Sequence, residues 1–232
     1  MLIKLKNFLL SALFPYRCIN CRLNLEMEAV ICEKCYGEIV INQTLFCGEC
    51  AARLPNNKKI CHQNFLFLLG AASSYQDEKI KNLIGLLKFS GIQNASKPLG
   101  KLIIRYAEAT NLPWREFVVL PIPLGRNRLL ERGFNQSELV ARIFSSHFNI
   151  PIETENLIRV KNTKAQSQVR GLDERIKNVA GAFEVKNMEA LEGKDIILID
   201  DVTTSGATLR EAARVLKNCG VKKIVAMVAA RA

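Results

Sequence analysis

The sequence lacks the features that assign a chain to the common nucleotide-binding and membrane classes. It contains neither Gly-x-x-x-x-Gly-Lys-Ser/Thr nor Gly-x-Gly-x-x-Gly, which excludes the P-loop and the dinucleotide-binding fingerprint. Aromatic residues make up only 7% of the chain, and Phe65 and Phe67 are better placed to begin a strand than to stack on bases. No stretch reaches the roughly 18–20 apolar residues of a membrane span.

The first fourteen residues are mostly apolar and include Lys4 and Lys6. No small-residue cleavage site follows them, so we do not expect a secretory signal. We predict that residues 1–14 form a short amphipathic helix that packs on the protein; a helix lying on a membrane surface is the alternative. The missing export signals lead us to expect a cytoplasmic protein.

The chain is strongly basic, with 33 Lys and Arg against 22 Asp and Glu and a formal net charge of +11. Such a surface attracts phosphate esters, pyrophosphate and nucleic acid, although basic proteins often carry only solvated lysines. The 232 residues, 49% of them hydrophobic, suffice for one medium-sized domain and a small one. The charge makes anionic partners, including single-stranded DNA, the first to consider.

Seven of the eight cysteines lie between positions 18 and 61. The first four, Cys18, Cys21, Cys32 and Cys35, form two Cys-x-x-Cys pairs separated by ten residues. Four thiolates in this arrangement can surround one tetrahedral zinc ion (Zn²⁺), and since they leave no ligand position open, the zinc is structural. Disulfides are the alternative, which the paired spacing and the missing secretory signal disfavour. We interpret Cys219 as an inert core residue.

A second set of ligands follows and repeats the first imperfectly. Cys47 and Cys50 form a third pair, and Cys61 and then His62 come ten residues later. Asn64 stands where the second cysteine of a fourth pair would fall. His62 could replace it as a zinc ligand, although neighbouring ligands make an awkward chelate; alternatively the three cysteines bind zinc weakly or not at all. The duplication indicates a double zinc ribbon.

The most informative stretch is residues 195–209, in which an apolar strand precedes two carboxylates, a hydroxyl-rich loop and a helix. A tight turn from strand to helix collects backbone N–H groups and the positive end of a helix dipole, which favours a phosphate. The residues of this loop are Thr203, Thr204, Ser205, Gly206, Ala207 and Thr208. Asp200 and Asp201, at the carboxyl end of the strand, suit ribose hydroxyls or a divalent metal. The alternative is that the whole loop only caps the helix.

Strands and helices alternate along the larger part of the chain. The hydrophobic patterns predict strands at 65–75, 117–120, 152–158, 196–199 and 223–228, and helices at 76–89, 97–109, 135–148 and 208–219. This order predicts an α/β protein with a mainly parallel sheet flanked by helices. We expect a small N-terminal unit, residues 1–64 with the helix and the zinc ribbon, before a larger domain of residues 65–232.

A basic segment follows the strand predicted at 117–120. Pro121 and Pro123 fix an extended exit from that strand, and Arg126, Arg128 and Arg132 follow in a glycine-punctuated loop. Because planar guanidinium groups match the oxygens of pyrophosphate, we expect these arginines to bind that group. A solvated surface loop is the alternative.

Several short motifs accompany these elements. They are Leu87-Lys88-Phe89-x-Gly91, Pro121-x-Pro123, Arg132-Gly133-Phe134-Asn135-Gln136, Gln166-Ser167-Gln168 and Arg175-x-x-Asn178-x-x-Gly181-Ala182-Phe183. The stretch 195–209 resembles the phosphoribosyl pyrophosphate signature of type I phosphoribosyltransferases. Together with the cysteine pairs, the motifs resemble the ComF family of bacterial competence protein F-like proteins, which are related to DNA uptake.

The resemblance implies that Asp200 and Asp201 bind the ribose 2′- and 3′-hydroxyls of phosphoribosyl pyrophosphate, that residues 203–208 hold its 5′-phosphate, and that Mg²⁺ accompanies it. In this interpretation residues 166–170 line or cover the site. The candidates for the pyrophosphate are Arg126, Arg128, Arg132 and Lys88.

Two functions agree with these observations. As an enzyme, the chain would transfer a phosphoribosyl group, with loss of pyrophosphate, to an acceptor that no motif identifies. As a binding module, it would keep the phosphoribosyl site as a sensor or scaffold, while the zinc ribbon and the basic surface bind single-stranded DNA and DNA-uptake proteins during transformation. A zinc domain that only docks a partner is a third alternative.

Overall fold

The computed structural model describes residues 16–55, 61–62, 65–110, 112–163, 169 and 171–232. The helix predicted at 1–14, the position of Asn64 and all of the segment 166–170 except Val169 lie outside these residues. Within the part of the chain that is described, no helix combines the length and the apolar character needed to cross a membrane.

Eight strands form the sheets of the described chain. They are β1 Leu45–Cys47, β2 Arg53–Leu54, β3 Leu68–Ser74, β4 Phe117–Pro121, β5 Leu157–Arg159, β6 Phe183–Val185, β7 Asp195–Thr203 and β8 Lys223–Arg231. The main sheet has the order β2-β1-β3-β8-β7-β4, and β5 pairs with β6 in a separate sheet. Strands β3, β8, β7 and β4 run parallel, whereas β1 and β2 are antiparallel additions at one edge.

The helices cover both faces of the main sheet. In the described residues they are α1 Glu33–Gly37, α2 Glu78–Phe89, α3 Ser96–Ala109, α4 Arg126–Arg132, α5 Gln136–Phe148, α6 Leu172–Val179 and α7 Ala207–Asn218. Helices α2, α3 and α5 share one hydrophobic cluster with the sheet, and α7 shares the other. Along β7, Ile197 and Ile199 belong to the first cluster and Ile196 and Leu198 to the second. Because side chains alternate between the faces of a strand, this strand must be apolar throughout.

The predicted fold class is confirmed. A mainly parallel sheet carries helices on both sides, and the helices predicted at 76–89, 97–109, 135–148 and 208–219 all occur close to those bounds. The apolar face predicted for the first of them is buried as well, since Ile80, Leu83, Ile84 and Leu87 of α2 are all buried.

Some local predictions are wrong. The basic segment after β4 is a helix rather than a loop: α4 begins after Gly125 and ends at the left-handed Gly133. The strand predicted at 152–158 is confined to β5, and Ile152 makes only an isolated bridge to β4. Helix α6 and strand β6 have no counterpart in the prediction, because an eight-residue helix with only Val179 buried and a three-residue strand give too little hydrophobic periodicity.

The boundary expected after residue 64 stays a prediction. Strands β1 and β2 precede it and yet belong to the main sheet, where Phe46 pairs with Leu69 and Cys47 with Leu68. Leu45 packs in the first hydrophobic cluster and Phe46 in the second. The hydrogen-bonded sheet therefore continues across the expected boundary.

Candidate functional site

A cleft of about 1000 Å³ opens at the carboxyl ends of the parallel strands. Its walls come from the segments that follow β4 and β7, from α4 and β5, from the end of α2 and from the first turn of α5. Open parallel sheets bind ligands at this edge, because helix N-termini and polar side chains face one space there. The residues predicted to bind the phosphoribosyl group or pyrophosphate all line this cleft except Arg126, which is exposed on α4.

Asp200 and Asp201 are held by contacts from two helices. Ser137 Oγ, in the first turn of α5, donates to Asp200 Oδ1 at 2.8 Å, and the backbone N–H of Asp201 donates to the same oxygen at 2.9 Å. Lys88 Nζ, at the end of α2, is 2.9 Å from Asp201 Oδ2 and neutralises that carboxylate. Burial, followed by the charge of Asp201, raises the pKa of Asp200 to about 7, so its ionisation depends on pH near neutrality.

The hydroxyl-rich loop joins β7 to α7 in the predicted way. Gly206 has a φ of +75°, a left-handed conformation that glycine adopts without steric cost, and α7 begins directly after it. The first-turn residues Ala207 and Thr208 line the cleft, which brings the positive end of the helix dipole to it. The N–H of Ala207 donates to Ser205 Oγ at 3.5 Å. Arg175 of α6 donates through Nη1 to Thr204 Oγ1 at 3.0 Å. The loop thus offers the donors and positive potential that a phosphate requires.

A group of basic side chains shares the same cleft. Lys88, Arg128 and Arg132 all line it. Arg128 Nη2 donates to the carbonyl of Thr163 at 3.2 Å, and Arg132 Nη1 donates to Gln136 Oε1 at 2.5 Å. Burial and the nearby charge of Arg132 lower the pKa of Arg128. Several cations gathered in a cleft attract a polyanion such as pyrophosphate.

Arg159, at the end of β5, also lines the cleft and is not identified by the sequence analysis. Its Nη2 donates to Thr163 Oγ1, and its Cζ lies 5.3 Å from the ring centroid of Phe183. Burial and the charge of Arg128 lower the pKa of Arg159, while Asp200 opposes that shift. Its buried Nε has no hydrogen-bond partner among the described residues. A basic residue directly after a predicted strand is the signal that identifies it; Ser137, also missed, has no comparable signal.

The first four cysteines come together. The sulfur atoms of Cys18, Cys21, Cys32 and Cys35 lie within 4.8 Å of one another, and Cys21 Sγ is 3.7 Å from Cys32 Sγ. Thiolates on one tetrahedral zinc ion are about 3.8 Å apart. Burial raises the pKa of Cys18, but the N–H groups of Cys21 and Cys32 outweigh it and bring the pKa down to about 6. At Cys35 the hydrogen bond from Asn20, which lowers the pKa, is outweighed by burial and the neighbouring cysteines, which raise it to about 12. All eight cysteines are described, and no disulfide joins any of them.

The second set also converges, with His62 as its fourth member. The ligand atoms of Cys47, Cys50, Cys61 and His62 lie within 4.8 Å of one another. Cys47 Sγ is 3.4 Å from His62 Nδ1, and Cys50 Sγ is 3.5 Å from Cys61 Sγ. Cys47 is buried and the other three are exposed. Both sets have the number and type of ligands of a structural zinc site.

Comparison with known proteins identifies both parts of the chain. Residues 9–64 match the double zinc ribbon domain, and residues 134–232 match the phosphoribosyl transferase domain. Competence protein F of Haemophilus influenzae is 28% identical over 94% of this chain and 98% of its own length. Competence protein ComFC of Bacillus subtilis is 43% identical, but the match covers 47% of this chain and only 41% of that protein. DNA utilization protein YhgH of Escherichia coli O157:H7 is 25% identical over 89% of this chain and 86% of its own length.

A solved structure of the allosteric regulatory enzyme of purine biosynthesis aligns with 60% of this chain at 20% identity and a TM-score of 0.41, and the alignment spans 26% of that enzyme's chain. A similarity this low transfers no property to the present protein. The two domain matches in this order and the similarity to competence protein F along nearly the whole chain are specific. The chain belongs to the ComF family, in which a double zinc ribbon is joined to a phosphoribosyltransferase domain.

Proposed function

We propose that this protein binds phosphoribosyl pyrophosphate with Mg²⁺ in the cleft and transfers its phosphoribosyl group to an acceptor, with loss of pyrophosphate, in a role connected with DNA uptake and natural competence. One observation carries the proposal: an acidic pair, a loop at a helix N-terminus and a basic group line a single cleft. These features match the ribose, the 5′-phosphate and the pyrophosphate of the ligand. The names of the relatives, competence and DNA utilization proteins, support the biological role.

The acidic pair and the loop are proposed to orient the sugar. Asp200 and Asp201 accept hydrogen bonds from the ribose 2′- and 3′-hydroxyls, and residues 203–208 donate to the 5′-phosphate. Lys88 lies 2.9 Å from Asp201, and ribose binding is proposed to exchange that contact for a hydroxyl and to make the ammonium group available to the pyrophosphate. Fixing both ends of the sugar presents its C1 to an acceptor in one orientation.

The basic side chains are proposed to act on the leaving group. Arg128, Arg132 and Arg159 bind pyrophosphate and stabilise the charge that it gains as its bond to C1 breaks. The carboxylates of Asp200 and Asp201 would help to hold Mg²⁺, and the ion would neutralise part of the charge of the pyrophosphate. Arg128→Ala should weaken pyrophosphate binding. Arg126 lies on the same helix but outside the cleft lining, so Arg126→Ala serves as the control.

A thermal-shift titration with Mg²⁺ and phosphoribosyl pyrophosphate tests the binding. At a ligand concentration of about 100 Kd, the wild type should gain about 2.7 kcal/mol of stability. The double variant Asp200→Asn/Asp201→Asn should lose this gain, whereas Asp195→Asn, at the opposite end of β7, should keep it. A wild-type protein whose stability does not respond to the ligand contradicts the proposal.

Turnover requires a separate measurement, the release of pyrophosphate. Purine and pyrimidine bases and single-stranded DNA are offered one at a time as acceptors, and the correct acceptor should accelerate release from the wild type. The Asp200→Asn/Asp201→Asn variant is the control, because an equal rate in that protein would show that the reaction occurs elsewhere. If the protein binds phosphoribosyl pyrophosphate but releases no pyrophosphate with any acceptor, it acts as a sensor or scaffold and not as an enzyme.

A second candidate function is a non-catalytic module that binds single-stranded DNA during transformation. The net charge of +11 and the printed names of the relatives favour it. The zinc ribbon, which we assign to residues 1–64, and the basic surface would contact DNA and DNA-uptake proteins in the cytoplasm, beside a phosphoribosyl domain of residues 65–232. Fluorescence anisotropy with a labelled oligothymidine should show an affinity that falls steeply with ionic strength. An affinity that does not change with salt contradicts this candidate.

A further inference from the structure

The second zinc-ligand set contacts α7, the helix that begins at the phosphate loop. We call residues 47–51 the second knuckle. Arg210, in the first turn of α7, donates through Nη2 to the carbonyl of Gly48 at 3.3 Å and to that of Glu49 at 3.0 Å. Its Nη1 is also 3.2 Å from Glu49 Oε2. A planar guanidinium with three acceptors holds the two segments in one relative position.

A second arginine reaches the same knuckle from the sheet. Arg231, the last residue of β8, donates through Nη1 to the carbonyl of Ala51 at 2.9 Å. Its Cζ lies 4.9 Å from the ring centroid of Phe46 in β1, an arrangement in which a cation is attracted to the ring face. Three carbonyl groups of the second knuckle are therefore bound by two arginines from the larger domain.

Both arginines adjoin the phosphate loop, residues 203–208. Arg210 donates its backbone N–H to the carbonyl of Gly206 at 2.8 Å. Arg231 is the register partner of Thr203 in the pairing of β8 with β7, and the next N–H, of Ala232, donates to the carbonyl of Thr203 at 3.0 Å. The loop is thus attached at its start and near its end to the residues that bind the second knuckle.

The second knuckle is well suited to hold these arginines in place. A Cβ atom at Gly48 would lie 2.2 Å from the carbonyl oxygen of Phe67, so the knuckle packs directly on the backbone before β3. The N–H of Glu49 donates to Cys47 Sγ at 3.4 Å, which ties the direction of the knuckle carbonyls to the position of a zinc ligand. A bound zinc ion would therefore fix the same carbonyls that Arg210 and Arg231 contact.

We propose that the second zinc site positions the phosphate loop, with Arg210 and Arg231 as the positioning residues that carry the conformation of the second knuckle to residues 203–208. The inference rests on the proposed function, because it names a determinant of 5′-phosphate binding at that site. Losing Arg210 or the zinc leaves the loop free to shift, and a displacement of about 1 Å is enough to weaken directional hydrogen bonds to a phosphate. The basic group around Arg128 is not involved.

Isothermal titration calorimetry with two probes, ribose 5-phosphate and inorganic pyrophosphate, tests the inference. Arg210→Ala should lower the affinity for ribose 5-phosphate about tenfold, equal to about 1.4 kcal/mol, and leave the affinity for pyrophosphate within about twofold of the wild-type value. Arg214→Ala is the matched control: it lies one turn later on α7, where it pairs with Glu211, and should change neither affinity. Arg210→Lys keeps the charge without the planar group and should restore only part of the loss. Equal ribose 5-phosphate affinities in wild type and Arg210→Ala overturn the inference.

A second comparison removes one exposed ligand from each zinc set. Elemental analysis should show that Cys61→Ser and Cys21→Ser each lose one zinc ion. Only Cys61→Ser should lower the affinity for ribose 5-phosphate, by about tenfold, with the affinity for pyrophosphate unchanged. Unaltered ribose 5-phosphate binding in a Cys61→Ser protein that has lost one zinc overturns the inference and leaves the proposed function standing. A wild-type protein that binds neither probe overturns both.

Discussion

The two zinc-ligand sets come from a repeated sequence pattern, and yet they are built into the molecule differently. The three buried cysteines of the first set form a small cluster of their own, against which Leu25 and Ile31 pack. In the second half of the ribbon, around the second set, Leu45, Cys47 and Leu54 belong to the first hydrophobic cluster of the main sheet, and β1 is a strand of that sheet. The first half also packs on this cluster, through the buried Ile39 and the partly buried Ile19, Val30 and Tyr36, whereas the second half in addition contributes β1 and β2 to the main sheet.

The polar contacts around the two halves differ in the same sense. The first half is joined to α3 at the surface, where Arg105 Cζ lies 5.6 Å from the ring centroid of Tyr36. The second half is joined to the same helix by a buried tyrosine, because Tyr106 Oη donates to the carbonyl of Thr44 at 2.7 Å. Arg210, only partly exposed, adds the contact to the second knuckle. Contacts sheltered from water transmit position better than exposed ones, since solvent does not compete for them.

The largest difference between the two halves is expected when one zinc ligand is removed from each set. Cys35→Ser should lose the first zinc and unfold residues 16–39 at a cost of about 4 kcal/mol or more, because the buried ligands Cys18, Cys32 and Cys35 form the local core of that segment. Cys50→Ser should lose the second zinc at a smaller cost, since β1 stays paired with β3. Hydrogen exchange of residues 16–39 and 45–54, together with zinc analysis, measures both effects. Protection retained at 16–39 without zinc would show that the first half does not depend on its metal.

The same substitution in the two halves should give effects of opposite sign. Gly48→Ala places its Cβ 2.2 Å from the carbonyl oxygen of Phe67, and overpacking against backbone should cost about 2 kcal/mol. Gly37→Ala, at the end of α1, meets nothing within 4 Å and should gain about 0.5 kcal/mol through helix propensity. Urea unfolding measures both. If Gly48→Ala were as stable as the wild type, the second knuckle would not be packed as tightly as the structure indicates.

The parts of the site that are local in sequence could be predicted, and the rest could not. Residues 200–208 form a continuous strand, loop and helix, so their order alone brings them together. Ser137 and Arg159 reach the cleft from α5 and β5, and their approach depends on how separate elements pack. Helix α4 was predicted as a loop because none of its residues is buried, which removes the hydrophobic periodicity on which a helix prediction depends.

The edge of the sheet shows the same limit. Strands β1 and β2 have only three residues and two residues, too few for an alternating pattern to be recognised. Their place in the sheet is set by partners far along the chain, such as Leu69 opposite Phe46. Cysteine spacing identified the ligands of the ribbon, but it contains no information on which half of the ribbon the sheet would incorporate.

The pH dependence of ribose 5-phosphate binding should separate the acidic pair from the phosphate loop. Burial raises the pKa of Asp200 to about 7. Because the ionised carboxylate is a stronger acceptor for ribose hydroxyls than the protonated form, affinity should rise by up to about tenfold between about pH 6 and about pH 8. The affinity of Asp200→Asn should not rise in this way. Because the phosphate of the ligand titrates equally in both measurements, the ratio of the wild-type affinity to the Asp200→Asn affinity at each pH cancels that effect. Cys61→Ser should weaken binding equally at each pH, because the second zinc acts on the loop. A ratio that does not change with pH contradicts the assignment of Asp200.

In the ligand-free protein the same titration has the opposite sign. The folded protein holds the Asp200 proton more tightly than the unfolded chain does. The pKa of this carboxyl group is about 7 in the folded protein, and its ordinary pKa is 3.8. The contribution of this group to the free energy of unfolding should therefore fall between about pH 4 and about pH 7 and stay constant above that range. Denaturation of the wild type and of Asp200→Asn over this range measures the difference between their free energies of unfolding. The part of that difference that comes from the titration of Asp200 should vanish at low pH.

The smallest effect is expected from the surface contacts of the first half. Lys97 Nζ is 3.2 Å from Glu28 Oε2, but the two side chains are 58% and 56% exposed. Water and salt screen such a pair, so Lys97→Ala should change the free energy of unfolding by about 0.5 kcal/mol or less. Ribose 5-phosphate affinity, measured beside Arg210→Ala, should stay unchanged, because the first half has no role in positioning the loop. If Lys97→Ala weakened that affinity as Arg210→Ala does, both halves of the ribbon would act on the phosphate loop and the contrast between them would fail.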